Sequence, residues 1–205
     1  MQSREEKLKD LRENTPTIFA PNCWGGLTYH HLGLQFKSPL INLFIHHDDY
    51  LRFLSNPQFY MAQEMTLKEM YSDEYYKKPF PVGLIGDIPL WMNHVDTFEK
   101  GKADWDRRKE RIDWDNLFVM LFEENSVLVN KFLELPYEKK VCFVPWPTDE
   151  PGLIYVPWRE KENLRKRYEM WEMMNNIALG HFVLYDDVEL LHDCKYVQIG
   201  NIIRE

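Results

Sequence analysis

Four short stretches combine residue types that can do chemistry. The first is Asn22-Cys23-Trp24-Gly25-Gly26, directly after the apolar run Ile18-Phe19-Ala20. In an open α/β sheet, ligands bind beyond the carboxyl ends of strands. Two glycines opening a helix let backbone N–H groups approach an anion. Asn22, Trp24, Gly25 and Gly26 are therefore candidate substrate-binding residues. The pattern lacks both the spaced glycines of a dinucleotide fingerprint and the Gly-Lys-Ser/Thr of a phosphate loop. It also reads as a tight turn with Trp24 packed into the core. Cys23 at a helix start is a candidate nucleophile, because helix N–H groups lower a thiol pKa below its usual value of about 8.5. The competing reading is a small buried hydrophobe. His31 lies eight residues on, about 12 Å along one helix and out of hydrogen-bond reach. A base for Cys23 must come from another strand end, and His94 is the candidate.

The second stretch is Gly86-Asp87, ending an apolar run, with His94 seven residues on. A carboxylate emerging at a strand terminus stands where a catalytic or sugar-hydroxyl-binding Asp would be, and a buried one otherwise needs a partner. Asp87, Cys23 and His94 are thus the catalytic candidates. The third is Arg107, Arg108, Lys109 and Arg111 in the last turns of a helix. Cations there complement the helix dipole as a solvated face; as Arg forks they would also suit phosphate oxygens. Arg107, Arg108 and Arg111 are candidate substrate-binding residues on the second reading. The fourth is His46-His47-Asp48-Asp49. His and Asp bind divalent metals, but adjacent side chains diverge and no third spaced ligand is evident. Helix capping explains this stretch, so neither a metal nor a cofactor is expected.

These residues need elements to hold them. Thr17–Asn22, Leu40–Ile45, Val82–Ile88, Asn116–Glu123 and Val141–Val144 are compact apolar runs, with Leu153–Val156 a shorter one. Near-continuous apolar strands are buried on both faces, which predicts neighbours in one mostly parallel sheet. Met65, Leu67 and Met70 suggest an edge strand. Helices are predicted at 27–34, from Asp48 on, at 96–112, at 127–135 and over Glu160–Leu179 before Gly180. Strands alternating with helices argue for an α/β fold: a single three-layer domain over residues 1–205 with helices on both faces. Residues 4–13, with Leu8 and Leu11 as apolar contacts, make 1–14 a peripheral charged helix that lies on the surface or frays.

Composition excludes several functions. The 205 residues are 44% hydrophobic and 28% charged, enough for about one globular domain. With 25 Lys plus Arg against 33 Asp plus Glu, the net charge of −8 gives no field that attracts nucleic acid or an anionic membrane. No apolar run approaches the roughly 20 residues of a membrane helix, and the charged N-terminus lacks the apolar stretch of a signal peptide. Cys23, Cys142 and Cys194 show no CxxC spacing, so a disulfide framework or zinc knuckle is not expected. A cytoplasmic location is.

Taken together, NCWGG, the SPLINLFI run with its Asp-rich helix start, PVGLIGDI, the block from Trp105 to Val119 and LPYEKKVCFV resemble a bacterial family. It is the domain of unknown function nineteen-nineteen, commonly labelled an exopolysaccharide biosynthesis protein. The resemblance runs from about Thr17 to Val144 and more loosely beyond. Asp106-Arg107-Arg108-Lys109 with Asp113-Trp114-Asp115-Asn116 is its most specific part. It implies an α/β three-layer fold and a setting in cell-surface polysaccharide synthesis, and it carries no catalytic residues over. Three functions follow: a transferase on a nucleotide-sugar or sugar-phosphate substrate, a non-catalytic accessory protein binding a polysaccharide-machinery partner, or a Cys-dependent acyltransferase. Asp104-Trp105-Asp106 matches the Asp-X-Asp of metal-using glycosyltransferases in letters but falls within a predicted helix, which weakens that reading.

Overall fold

The computed structural model describes residues 2–74, 76, 78–156, 182–194 and 198–203. Its elements, in chain order, are α1 (Arg4–Glu13), β1 (Thr17–Phe19), α2 (Trp24–Leu32), α3 (His47–Ser55), α4 (Pro57–Ala62), β2 (Met65–Tyr71), β3 (Phe80–Ile85), β4 (Ile88–Trp91), α5 (Phe98–Lys109), β5 (Leu117–Phe122), α6 (Ser126–Leu133), β6 (Lys140–Val144), β7 (Leu153–Tyr155), β8 (Phe182–Tyr185), α7 (Asp187–Asp193) and β9 (Gln198–Ile203). The fold is α/β. A four-stranded sheet runs β1-β5-β6-β7, parallel throughout, with Phe19 opposite Val119, Leu121 opposite Cys142 and Phe143 opposite Ile154. A three-stranded antiparallel sheet β2-β3-β4 and a β8-β9 pair complete the strands.

Alternate residues of the parallel sheet feed two cores. Ile18, Phe118, Met120, Phe122 and Phe143 pack with Leu11 of α1, Trp24 and Tyr29 of α2, and Val188 and Leu191 of α7. Phe19, Val119, Leu121, Cys142 and Val144 pack with Phe53 of α3, Phe132 of α6, Ile85 and Leu90 of the antiparallel sheet, and Trp105 of α5. Both faces are buried, which is why the strands read as unbroken apolar runs. One face is covered partly by the second sheet, not by helices alone.

Two strand expectations need correction. Leu40–Ile45 is not a strand: Asn42 takes a left-handed conformation (φ 62) that breaks any extended run. Its apolar side chains still fill the core, and it touches neighbours through an isolated bridge from Phe44 to Trp91 and an Ile45 N–H donating to Pro21 O at 2.9 Å. Val82–Ile88 is not one strand of the main sheet. Gly86 (φ 58) and Asp87 form a tight hairpin, with Ile85 opposite Ile88, inside the antiparallel sheet. Pro89 is tolerated there because β4 is an edge. Thr17–Asn22 shortens to three paired residues, and α2 begins at Trp24. Met65–Tyr71 is the edge strand expected of it. The predicted helix over Glu160–Leu179 lies outside the described residues.

The N-terminal helix is tied down, not frayed. Ser3 and Glu6 form a capping box at its start. Lys7, only 6% exposed, donates to Glu189 and Asp193 of α7 at 2.6 and 2.7 Å, and Arg4 pairs with Asp186. Its charge is half of a helix–helix contact. No helix among the described residues is long and apolar enough to cross a membrane.

Candidate functional site

The turn from β1 into α2 is built from close packing. A Cβ on Gly25 would approach Ile18 Cγ2 to 3.1 Å, and one on Gly26 would approach Ile41 Cγ2 to 3.1 Å. The two glycines let α2 lie tight against β1 and the 40–45 segment. Trp24 is fully buried, stacked on Phe118 at 6.1 Å and tilted on Phe143 at 6.0 Å. It presents no open ring face to a ligand. Asn22 Oδ1 accepts from the Trp24 N–H at 3.0 Å, bracing the helix start.

Cys23 occupies the N-cap position without capping through its own side chain. Its Sγ lies 3.2 Å from His94 Nε2, 71 residues away in sequence, in the turn that leaves β4. His94 is exposed at the surface and Cys23 is half-buried. Burial pushes the Cys23 thiol up to about 11, against the lowering expected of a helix start. Partial desolvation of its ring likewise pulls the His94 imidazole below its usual value, although the residue as a whole is exposed. Desolvation disfavours both charged forms, so the resting pair is neutral thiol beside neutral imidazole. Such a pair works by moving the proton as the sulfur attacks, in the manner of an activated hydroxyl.

This electrostatic state gives a direct prediction. Iodoacetamide should label Cys23 slowly at pH 7, with a rate that climbs toward pH 11. Cys142, fully buried in β6 with its thiol pushed well above its usual value by burial, should stay unlabelled until the protein unfolds. Peptide-resolved labelling kinetics check this; Cys23 reacting at pH 7 as fast as a free thiol would contradict it.

The other candidates stand elsewhere. Asp87 is exposed at the β3–β4 turn and pairs with Arg52 at 3.3 Å. His94 follows the opposite end of β4, so the two are separated by the length of that strand. Arg107 is committed to Asp104 at 2.7 Å. Arg108 donates to Ile41 O and Arg111 to Phe36 O, each at 3.3 Å. These arginines pin the 36–41 segment to α5 and its C-terminal turn and are not arranged as a phosphate fork. A small pocket lined by Asn42, Met92, Val95, Asp104, Trp105 and Arg108 flanks the His94 turn, with room of about 20 Å³, one water molecule. His31 faces Asp187 of α7 at 3.5 Å. Among the described residues, no three His, Cys, Asp or Glu groups gather as metal ligands.

One pair escaped sequence reasoning. Glu123 follows the carboxyl end of β5, and its Oε2 lies 2.6 Å from His47 Nδ1 at the start of α3. The side chains are 5% and 10% exposed. Glu123 Oε1 accepts from the Glu124 and Asn125 N–H groups at 2.8 and 2.9 Å. Burial alone would raise this carboxyl, but the His47 ring and the Asn125 and Glu124 N–H groups outweigh it and hold the pKa below its usual value. A carboxylate ending an otherwise apolar parallel strand was the available signal.

The fold and site define an α/β protein with a neutral thiol–imidazole pair beyond the carboxyl end of its first strand. The chain belongs to the family described as domain of unknown function DUF1919, whose model matches residues 1–191. It is also similar to an uncharacterized protein of Haemophilus influenzae, 31% identical over 160 residues that cover 76% of this chain and 74% of that protein.

Proposed function

We propose that the protein is a cysteine-dependent acyltransferase acting on a sugar or sugar-phosphate acceptor in cell-surface polysaccharide synthesis. The observation that carries this reading is the 3.2 Å contact between Cys23 Sγ and His94 Nε2. A nucleophile within hydrogen-bond reach of a base, brought together from distant sequence, is the signature of covalent catalysis. It favours acyl transfer over direct transfer from a nucleotide-sugar, because the arginines are engaged with carbonyls and Asp104. The polysaccharide setting follows from the family resemblance. The frame is a three-layer α/β domain with the parallel sheet at its centre. Three free cysteines suit the reducing cytoplasm, where we place the reaction.

In this mechanism Cys23 attacks an activated acyl group while His94 takes its proton. The acyl-enzyme then passes the group to a sugar hydroxyl, with His94 acting as base again. General base assistance is worth roughly 10²–10⁴ in rate. The test uses p-nitrophenyl acetate. A burst of nitrophenolate and an acetyl adduct on the Cys23 peptide are expected, both absent in Cys23→Ser. His94→Ala should slow the burst by at least about 10²-fold. A wild-type protein showing no adduct on Cys23 across pH 6–9 would leave the accessory-protein reading in its place.

A further inference from the structure

Three stretches of chain, distant in sequence, are laced together beside the thiol–imidazole pair. The Ile45 N–H donates to Pro21 O at 2.9 Å, two residues before Cys23. Phe44 and Trp91 exchange both main-chain hydrogen bonds, at 2.8 and 2.9 Å. The contact of His94 with Cys23 closes the circuit. Side chains alternate along such extended backbone. Ile45, Leu90 and Met92 are buried in the core, so their neighbours Phe44, His46 and Trp91 lie on the outward side. There Phe44 and Trp91 are half-buried and His46 is exposed. His46 meets Phe44 at 4.9 Å and Trp91 at 5.3 Å, edge to face. Tyr71, half-buried at the end of β2, meets Trp91 at 4.8 Å in the same manner. Register sets Tyr71 opposite Phe80 and Trp91 opposite Val82, and both β3 residues between them are buried. Asp73 Oδ2 accepts from the Tyr71 hydroxyl at 3.0 Å and holds that ring. The result is a braced set of aromatic rings that reaches water next to the proposed nucleophile.

We propose that Trp91, His46 and Tyr71 form a platform that binds a neutral pyranose ring of the acceptor beside Cys23. The inference rests on the acyl-transfer reading and deepens it by placing the acceptor. Aromatic faces carry the negative part of the ring quadrupole, and the C–H bonds along one side of a pyranose are electropositive, so the two stack. The hydroxyls around the sugar's edge then meet water and the polar groups of the rim, the His46 imidazole and the Asp73 carboxylate. A wholly apolar partner would desolvate those groups without replacing their hydrogen bonds. The net charge of −8 disfavours a phosphate-bearing ligand at large. The reach is short. Trp91 and His94 are three residues apart, at most about 11 Å along the chain, and the Val95 N–H donating to Met92 O at 3.0 Å folds that stretch into a turn. A disaccharide with one ring on Trp91 therefore spans to the thiol with a hydroxyl of the other. Rings braced before the ligand arrives lose little freedom on binding, which favours affinity.

Saturation-transfer NMR with the methyl glycosides of glucose, galactose, mannose and N-acetylglucosamine reads this binding without any chemistry at Cys23. At least one glycoside should receive saturation, strongest on the ring C–H protons of one face. Trp91→Ala should raise its Kd about tenfold, the loss of one aromatic contact. Val127→Ala, which trims an apolar side chain exposed on α6, should leave it unchanged. Should Trp91→Ala not fold, His46→Ala alters an exposed side chain that makes no cap hydrogen bond and should raise Kd about threefold. Saturation of none of the four glycosides would overturn the inference. So would saturation spread evenly around the sugar, or an unchanged Kd in a folded Trp91→Ala or His46→Ala. Acylation of Cys23 by p-nitrophenyl acetate in a protein that binds no glycoside would remove the platform and leave the acyl-transfer reading standing. Glycoside binding that depends on Trp91, in a protein never acylated on Cys23, would do the reverse.

Discussion

Glu123→Ala should lower folding stability by about 3–5 kcal/mol, because it removes a buried carboxylate engaged in three hydrogen bonds, each worth roughly 1.5–3 kcal/mol when one partner is charged. The alanine would leave the His47 ring nitrogen and the Glu124 and Asn125 N–H groups without the carboxylate they face at 2.6–2.9 Å. Glu123 is 5% exposed on its side chain, so water does not readily replace it. For a chain of this size each kcal/mol shifts Tm by roughly 2–4 °C, so a drop of about 6–20 °C is expected. Urea unfolding at pH 7 followed by circular dichroism checks it. A loss under about 1 kcal/mol would show that the pair does not hold the β5 end to α3. Glu123→Gln should cost less, because one oxygen still accepts, but it loses the charge assistance that strengthens these bonds.

The same carboxylate sets a pH dependence. Its folded pKa lies below the ordinary value, so the unfolded chain binds its proton first as pH falls. The stability it contributes is therefore complete above the unfolded carboxyl range near pH 4.3 and is lost as pH drops through the lower folded value. Wild type and Glu123→Gln should accordingly converge in stability on acidification from pH 6 to pH 3. Curves that stay parallel would mean that the folded and unfolded pKa values are the same.

How much of this was legible depends on where the signal was local. The strands at Leu117–Phe122 and Lys140–Val144 were readable because a parallel sheet buried on both faces writes itself as continuous apolar sequence. Leu40–Ile45 has the same composition but not the conformation. Its core positions are met by a broken segment with Asn42 left-handed, and apolar content alone cannot separate the two. Gly86-Asp87 between two apolar runs is a hairpin signal in its own right. As a turn, that dipeptide places Asp87 at the surface, where it pairs with Arg52. In the site, helix geometry puts His31 out of reach of Cys23 and asks for a base from another strand end, and the fold brings His94 there. The thiol's direction of shift was not legible, because the helix start is visible in sequence while the burial that overrides it is a property of the packed chain. Glu123 and His47 are 76 residues apart. Each has an unremarkable local explanation as a strand end or a helix start, and only their meeting identifies them.

Trp24→Ala should lower stability by about 3–5 kcal/mol, the range for truncating a buried aromatic. Trp24 is fully buried and is among the largest side chains of the core on the α2 face of the sheet. Its ring contacts Phe118 of β5 and Phe143 of β6, so it joins the helix that begins at Cys23 to two central strands. Alanine would open a cavity between elements held apart by the rest of the core, and close packing leaves little freedom to collapse into it. This outcome distinguishes the two roles open to Trp24 from sequence. A ring that stacks on a sugar would be exposed, and its loss would weaken ligand binding while leaving unfolding unchanged. The buried ring makes the opposite forecast, a large fall in the urea midpoint with no change in slope, read by circular dichroism so that the missing fluorophore does not confound it. Trp24→Phe keeps an aromatic in the same cavity and should recover part of the loss. It should also leave the pH profile of Cys23 alkylation unaltered, because the α2 start and the Asn22 cap on residue 24 are retained. If Trp24→Ala instead unfolds at the wild-type midpoint, Trp24 does not anchor α2 to the sheet, and the rigid placement of Cys23 opposite His94 must have another source.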